Sequence, residues 1–98
     1  MGMQATINSD TVVVAIKNQV FSNLGEEAVI LHLGKGAYYG VNEVGALVWN
    51  LLQKPVRVND IVAEVIGKYG VRKERCLADT LELLQRMLRA KLIEISRK

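Results

Sequence analysis

Ninety-eight residues, half of them apolar and 23% charged, with a formal net charge of +3, are expected to form one domain spanning residues 1–98. A chain this short buries only about two thirds of its unfolded surface, which excludes a multi-site enzyme, and the apolar content excludes disorder. The single cysteine, Cys76, excludes an internal disulfide, and with the single histidine, His32, it cannot supply a zinc site, so neither metal nor cofactor is expected.

No run approaches the roughly 18 to 20 uninterrupted apolar residues of a membrane span, and no basic segment with an apolar run opens the chain, so the expected location is cytoplasmic, with no membrane partner. The opening Met1-Gly2-Met3-Gln4-Ala5-Thr6 fits the loose myristoylation pattern, but a single acyl chain anchors weakly, and the segment is read as a short polar start. Charge is unevenly placed. Residues 1–49 carry two basic and four acidic groups, whereas residues 50–98 carry eleven basic and six acidic. The second half therefore suits an acidic peptide or a nucleic acid, although the interspersed acids make it a mixed surface.

In chain order, Thr11 to Lys17 is β-branched and apolar and predicts a strand over about 11–17. Ala28 to Leu33, bounded by Gly25-Glu26-Glu27 and Gly34-Lys35-Gly36, predicts a second over 28–33. A third follows over 37–41. Pairing Leu33 with Ala37 across a three-residue Gly-Lys-Gly loop sets Leu31 against Tyr39 and Val29 against Val41. Ile30, His32 and Tyr38 then face the other way. The result is a three-stranded antiparallel meander whose last strand is an edge.

From residue 42 the period becomes helical. Asn42 is a good N-cap, and Val44, Leu47, Val48, Leu51 and Leu52 form one stripe before Lys54-Pro55, predicting a helix over about 43–53. Val58, Ile61, Val62, Val65, Ile66 and Tyr69 predict a second over 58–69, with Gly70 as a left-handed cap. A third should run over 72–90 on a core stripe of Leu77, Leu81, Leu84 and Leu88, followed by a short extended tail, Leu92 to Ile95. The fold class is thus α+β, a three-stranded antiparallel sheet followed by a three-helix bundle.

The third helix carries a second apolar row at Cys76, Thr80, Leu83 and Met87, roughly 60° round from the first. Either this wide face packs under the sheet or part of it stays open as the wall of a groove. Catalytic chemistry is poorly supported. His32 has no visible nucleophile partner, Cys76 lies within an apolar helical pattern, Glu26-Glu27 is a turn, and the Gly34-Lys35-Gly36 loop joins two strands rather than leading into a helix. An edge strand, by contrast, offers free N–H and C=O groups to an extended peptide. Tyr38 faces away from the core there, either as a contact surface or merely covering the sheet. Asp79 and Arg86 flank the second apolar row, either pairing with charges on a peptide or simply solvated.

The run from Gly25 to Leu33, and then Gly36-Ala37-Tyr38-Tyr39-Gly40-Val41-Asn42-Glu43-Val44-Gly45-Ala46-Leu47-Val48-Trp49, resembles the family of the pyrroloquinoline quinone biosynthesis D protein. In that family a G-x-Y-Y-x-L-N-x-x-G-x-x-[IV]-W segment joins the last strand to the first helix. The resemblance continues through Val58 to Val71 and Asp79 to Leu84 to Leu92-Ile93-Glu94, covering roughly residues 12–95. Glu26-Glu27-Ala28-Val29 and the double tyrosine look more like the stand-alone members of lasso-peptide biosynthesis than the quinone-cofactor branch. Arg57 departs from the pattern, standing where the family commonly has a helix-capping Thr, and puts a firm start of the second helix in doubt.

The resemblance implies a winged-helix-like recognition element for ribosomally made, post-translationally modified peptides. In such elements the leader of the precursor adds as a strand beside strand three and lies against helix three. Carried over by position, the strand contributes Ala37, Tyr38, Tyr39 and Gly40, and the helix contributes Cys76, Asp79, Thr80, Leu83, Arg86 and Met87, with Tyr39 mostly in the core. The implied partners are a precursor leader, a leader peptidase and an ATP-dependent cyclase, with no catalytic role for this chain. A winged-helix nucleic-acid reader is the alternative, since residues 72–98 hold eight Lys or Arg. Four acids in the same segment and the apolar face of the third helix argue against it, and nucleic acid is not an expected partner.

Overall fold

A computed structural model describes residues 6–17, 19–24 and 27–96. The elements are β1 (Val12–Ala15), β2 (Gln19–Leu24), β3 (Glu27–His32), β4 (Ala37–Val41), α1 (Glu43–Leu51), β5 (Val56–Arg57), α2 (Val58–Tyr69), α3 (Lys73–Arg89) and β6 (Ile93–Ile95). The expected α+β class holds, with three helices and antiparallel strands. The second and third helices match their expected spans closely.

The strands are arranged differently from the expected meander. Two three-stranded antiparallel sheets form, ordered β5-β1-β6 and β2-β3-β4. The first predicted strand does not pair with β3. Val13 instead lies between Val56 and Ile95, and Val13 is fully buried. The expected extended tail closes this sheet as β6. The place beside β3 is taken by β2, a strand not expected from sequence, with Phe21 opposite Ile30.

The β3–β4 register differs by one residue. His32 rather than Leu33 pairs with Ala37, and Ile30 faces Tyr39 while Leu31 faces Tyr38. A single-residue slip exchanges the two faces of a strand. Ile30 therefore becomes a fully buried core residue, whereas Tyr39 keeps its expected inward side and Tyr38 its outward one. Four residues, Leu33 to Gly36, make the turn. The Gly36 N–H donates to the His32 carbonyl at 2.7 Å and the Lys35 N–H to His32 Nδ1 at 3.2 Å. Gly36 at φ 66° supplies the left-handed residue.

Both expected caps are present. The Asn42 side chain accepts from the Gly45 N–H at 2.8 Å, and Gly70 closes α2 in the left-handed region. Arg57 gives α2 no side-chain cap, but the helix start is secured by backbone: the Val58 N–H donates to the Thr11 carbonyl at 2.9 Å and Asn59 N–H to Ser9 at 3.0 Å. The residues before β1 thus satisfy two of the first donors of the helix, of which the Asn59 N–H is one that a capping Thr would otherwise serve.

On α3 the buried residues are Cys76, Thr80, Leu84 and Met87. The predicted core stripe is therefore displaced, since Leu77, Leu81 and Leu88 are only partly buried. Small Cys and Thr side chains let α2 approach this face, with Cys76 Sγ 3.9 Å from the Val62 carbonyl oxygen.

After α3 the chain reverses at Lys91, at φ 63°. The Leu92 N–H donates to the Met87 carbonyl at 3.0 Å and the Lys91 N–H to Leu88 at 3.1 Å, the paired bonds of a Schellman turn with lysine where glycine is usual. Lys91→Gly should raise stability by about 1 kcal/mol in urea melts, because the left-handed conformation costs a Cβ-bearing residue about that much. Gly45 behaves oppositely. A Cβ there would stand 3.0 Å from Val41 Cβ and 3.3 Å from Asn42 Oδ1. Gly45→Ala should therefore lower stability by about 1–2 kcal/mol in the same melts, overpacking outweighing the roughly 1 kcal/mol of helix propensity it gains.

Candidate functional site

The chain folds so that an edge strand lies beside a helix without touching it along its full length. β4 ends the β2-β3-β4 sheet, and alternate residues of an edge strand turn their N–H and C=O groups outward. Between β4 and α3 lies a cleft of about 260 Å³ lined by Ile30, Tyr39, Gly40, Val41, Leu83, Arg86, Met87, Ala90 and Leu92. That volume takes one or two large apolar side chains. Among its lining side chains only those of Tyr39 and Arg86 carry polar groups.

Local structure fixes each wall. The Asn42 cap and the close approach of Gly45 to Val41 anchor the end of β4 to α1. At the opposite end, Lys35 reaches across from the hairpin and donates from Nζ to the Ala90 carbonyl at 3.1 Å. A cation on the last carbonyls of a helix is favoured by the helix dipole. The Schellman turn folds Leu92 back over Met87, completing the floor.

Of the ten expected site residues, the structure gathers Tyr39, Gly40, Leu83, Arg86 and Met87 around the cleft. No Cβ at Gly40 would meet another atom within 4 Å, so β4 is open there. Tyr38 lies on the outer face of the sheet and is 75% exposed. Ala37 opens β4, opposite His32.

Two expected residues are corrected. Cys76 and Thr80 are each 5% exposed, with Cys76 Sγ 3.9 Å from both the Val62 carbonyl oxygen and Thr80 Oγ1. They pack against α2 and do not line the cleft. Asp79 stands one turn before Leu83 on the solvent side, paired with Arg75 at 3.4 Å, and also lies outside the lining. Exposed i,i+4 pairs of this kind contribute little.

Ile30, Val41, Ala90 and Leu92 also line the cleft and Lys35 stands at its end, none of them expected from the sequence pattern. Ile30 became visible only with the register, and the Lys35 contact joins residues far apart in sequence. No group of three or more His, Cys, Asp or Glu among the described residues is placed to hold a metal, and no helix among them is long and apolar enough to cross a membrane.

The structure is similar to that of a chain solved as "TbiB1 in Complex with the TbiA(beta) Leader Peptide", with a TM-score of 0.76 and 27% identity over 87% of this chain and 99% of that one. A search of curated proteins gives no match. The family described as "Coenzyme PQQ synthesis protein D (PqqD)" matches residues 27–93, a span that runs from β3 through all three helices to the start of β6 and contains both walls of the cleft. The chain is a member of the PqqD family.

Proposed function

We propose that this chain is a non-catalytic leader-peptide-binding protein that captures a ribosomal precursor by strand addition along β4, with the peptide's inward side chains seated in the cleft against α3. The observation that carries the reading is the combination of an unpaired edge strand with an apolar cleft directly beside it. Backbone pairing supplies sequence-tolerant affinity, and the cleft supplies selection of alternate side chains. Support comes also from the likeness to a structure that holds a leader peptide.

In this reading Tyr39, Gly40, Leu83, Arg86 and Met87 form the contact surface, while Ala37 and Tyr38 contribute backbone and an outer-face ring. Cys76 and Thr80 are assigned to the α2–α3 packing. The bound peptide is presented to the enzymes that process it, for which a leader peptidase and an ATP-dependent cyclase of a lasso-peptide pathway are the proposed partners. Tethering a substrate in this way raises its effective concentration at the enzyme.

Titration of a fluorescent leader, taken from a precursor encoded beside this gene, should give saturable anisotropy that depends weakly on salt, whereas a random DNA duplex should not bind. Salt-sensitive binding to DNA alone would overturn the reading. Leu83→Asp should weaken leader binding by about 2 kcal/mol, roughly thirtyfold, since it places a carboxylate where the peptide excludes water. Unchanged affinity in that variant would remove the cleft from the account.

A further inference from the structure

Resting on the strand-addition reading above, we infer that the peptide segment taken by the cleft is acidic, carrying an Asp or Glu two positions from its apolar anchor, and that Arg86 is the residue that selects it. Arg86 is the one charged side chain in the lining of the cleft. Among the described residues the only ion pair joins Arg75 to Asp79. Arg86 makes none, although Glu82 precedes it by one helical turn. A guanidinium on an otherwise apolar wall is tolerated while water reaches it. Covering it with an apolar strand removes that water, and only an acceptor on the incoming peptide restores what is lost.

A carboxylate does so best, because it meets the planar fork of arginine with two parallel charge-assisted bonds. The surroundings favour the same sign. Arg86 and Arg89 lie in the last turn of α3, Lys91 follows in the turn, and Lys35 is fixed on the Ala90 carbonyl. The helix dipole accounts for basic residues in a last turn, but it treats Arg86 and Arg89 alike, and only Arg86 opens on the cleft. A lysine or arginine at the matching peptide position would be repelled, so the same side chain also rejects wrong partners.

The spacing follows from two regular geometries. Leu83 and Arg86 are separated along the helix axis by roughly 4.5 Å. An extended peptide turns alternate residues to one side, about 6.6–6.8 Å apart. Neighbouring residues face opposite ways and residues four apart overshoot, so an apolar anchor against Leu83 and the acid at Arg86 are two positions apart.

The test is selection of a displayed random 12-residue peptide library on the full-length chain, with Arg86→Glu in parallel. Arg86 is exposed, so the variant is expected to fold, and matching urea melts verify that it does. The wild-type pool should converge on a large apolar residue with Asp or Glu two positions away. The Arg86→Glu pool should exchange that acid for Lys or Arg. For one selected peptide, acid→Lys should weaken binding to the wild type at least tenfold and be rescued on Arg86→Glu. An apolar consensus without acid preference, or the same acid preference on both proteins, would overturn the inference while leaving the cleft as a peptide site. No enrichment on either protein would overturn both.

Discussion

The chain reversal at the end of α3 is the constraint on which the rest of the molecule depends. With Lys91 in the left-handed region, Leu92 and Ile93 turn back into the core at 2% and 1% exposure, and β6 can run beside β1. That pairing closes the β5-β1-β6 sheet, and β5 leads directly into α2, against which α3 packs. The same reversal leaves the Ala90 carbonyl exposed to Lys35, so the β3–β4 hairpin is tied to the helix end by one side chain. A single local geometry thus couples the C-terminal strand, the helical layer and the sheet that carries the open edge.

The cleft exists because these attachments lie at its two ends. β4 is held at one end by the Asn42 cap and the Gly45 contact and at the other by Lys35, while between them its free edge faces α3 across a gap. Ile30, fully buried opposite Tyr39 across the β3–β4 pair, holds the sheet against the core. Main-chain pairing along the edge and side-chain selection by Leu83, Arg86 and Met87 are therefore separable contributions. The first is indifferent to sequence, and the second is not.

The helices were legible because they are long, amphipathic and punctuated. Asn42 and Gly70 act as expected, and α2 occupies the span that its apolar repeat predicts. The strands were less legible because short segments take their partners from tertiary packing. β2 is a mixed run, Gln19 to Leu24, in which apolar and polar residues do not alternate. The β3–β4 register went to a four-residue turn stabilised by His32, and the burial of Ile30 outweighed the pull of two glycines toward a three-residue loop. On α3, leucine content pointed to the wrong centre. Cys76 and Thr80 are less apolar than Leu77 and Leu81, yet their small size admits α2 and brings them deeper. The edge and half of the site followed from pattern and resemblance, while the closing walls, Ile30, Ala90 and Leu92, depended on contacts between distant residues.

Amide hydrogen exchange, with and without the leader encoded beside this gene, tests the central claim most directly. Strand addition predicts that the leader slows exchange of outward-facing amides in residues 37–41 and leaves α2 unchanged, since only the β4 backbone gains new hydrogen bonds. Protection confined to residues 58–69, or binding with no change along β4, would contradict it.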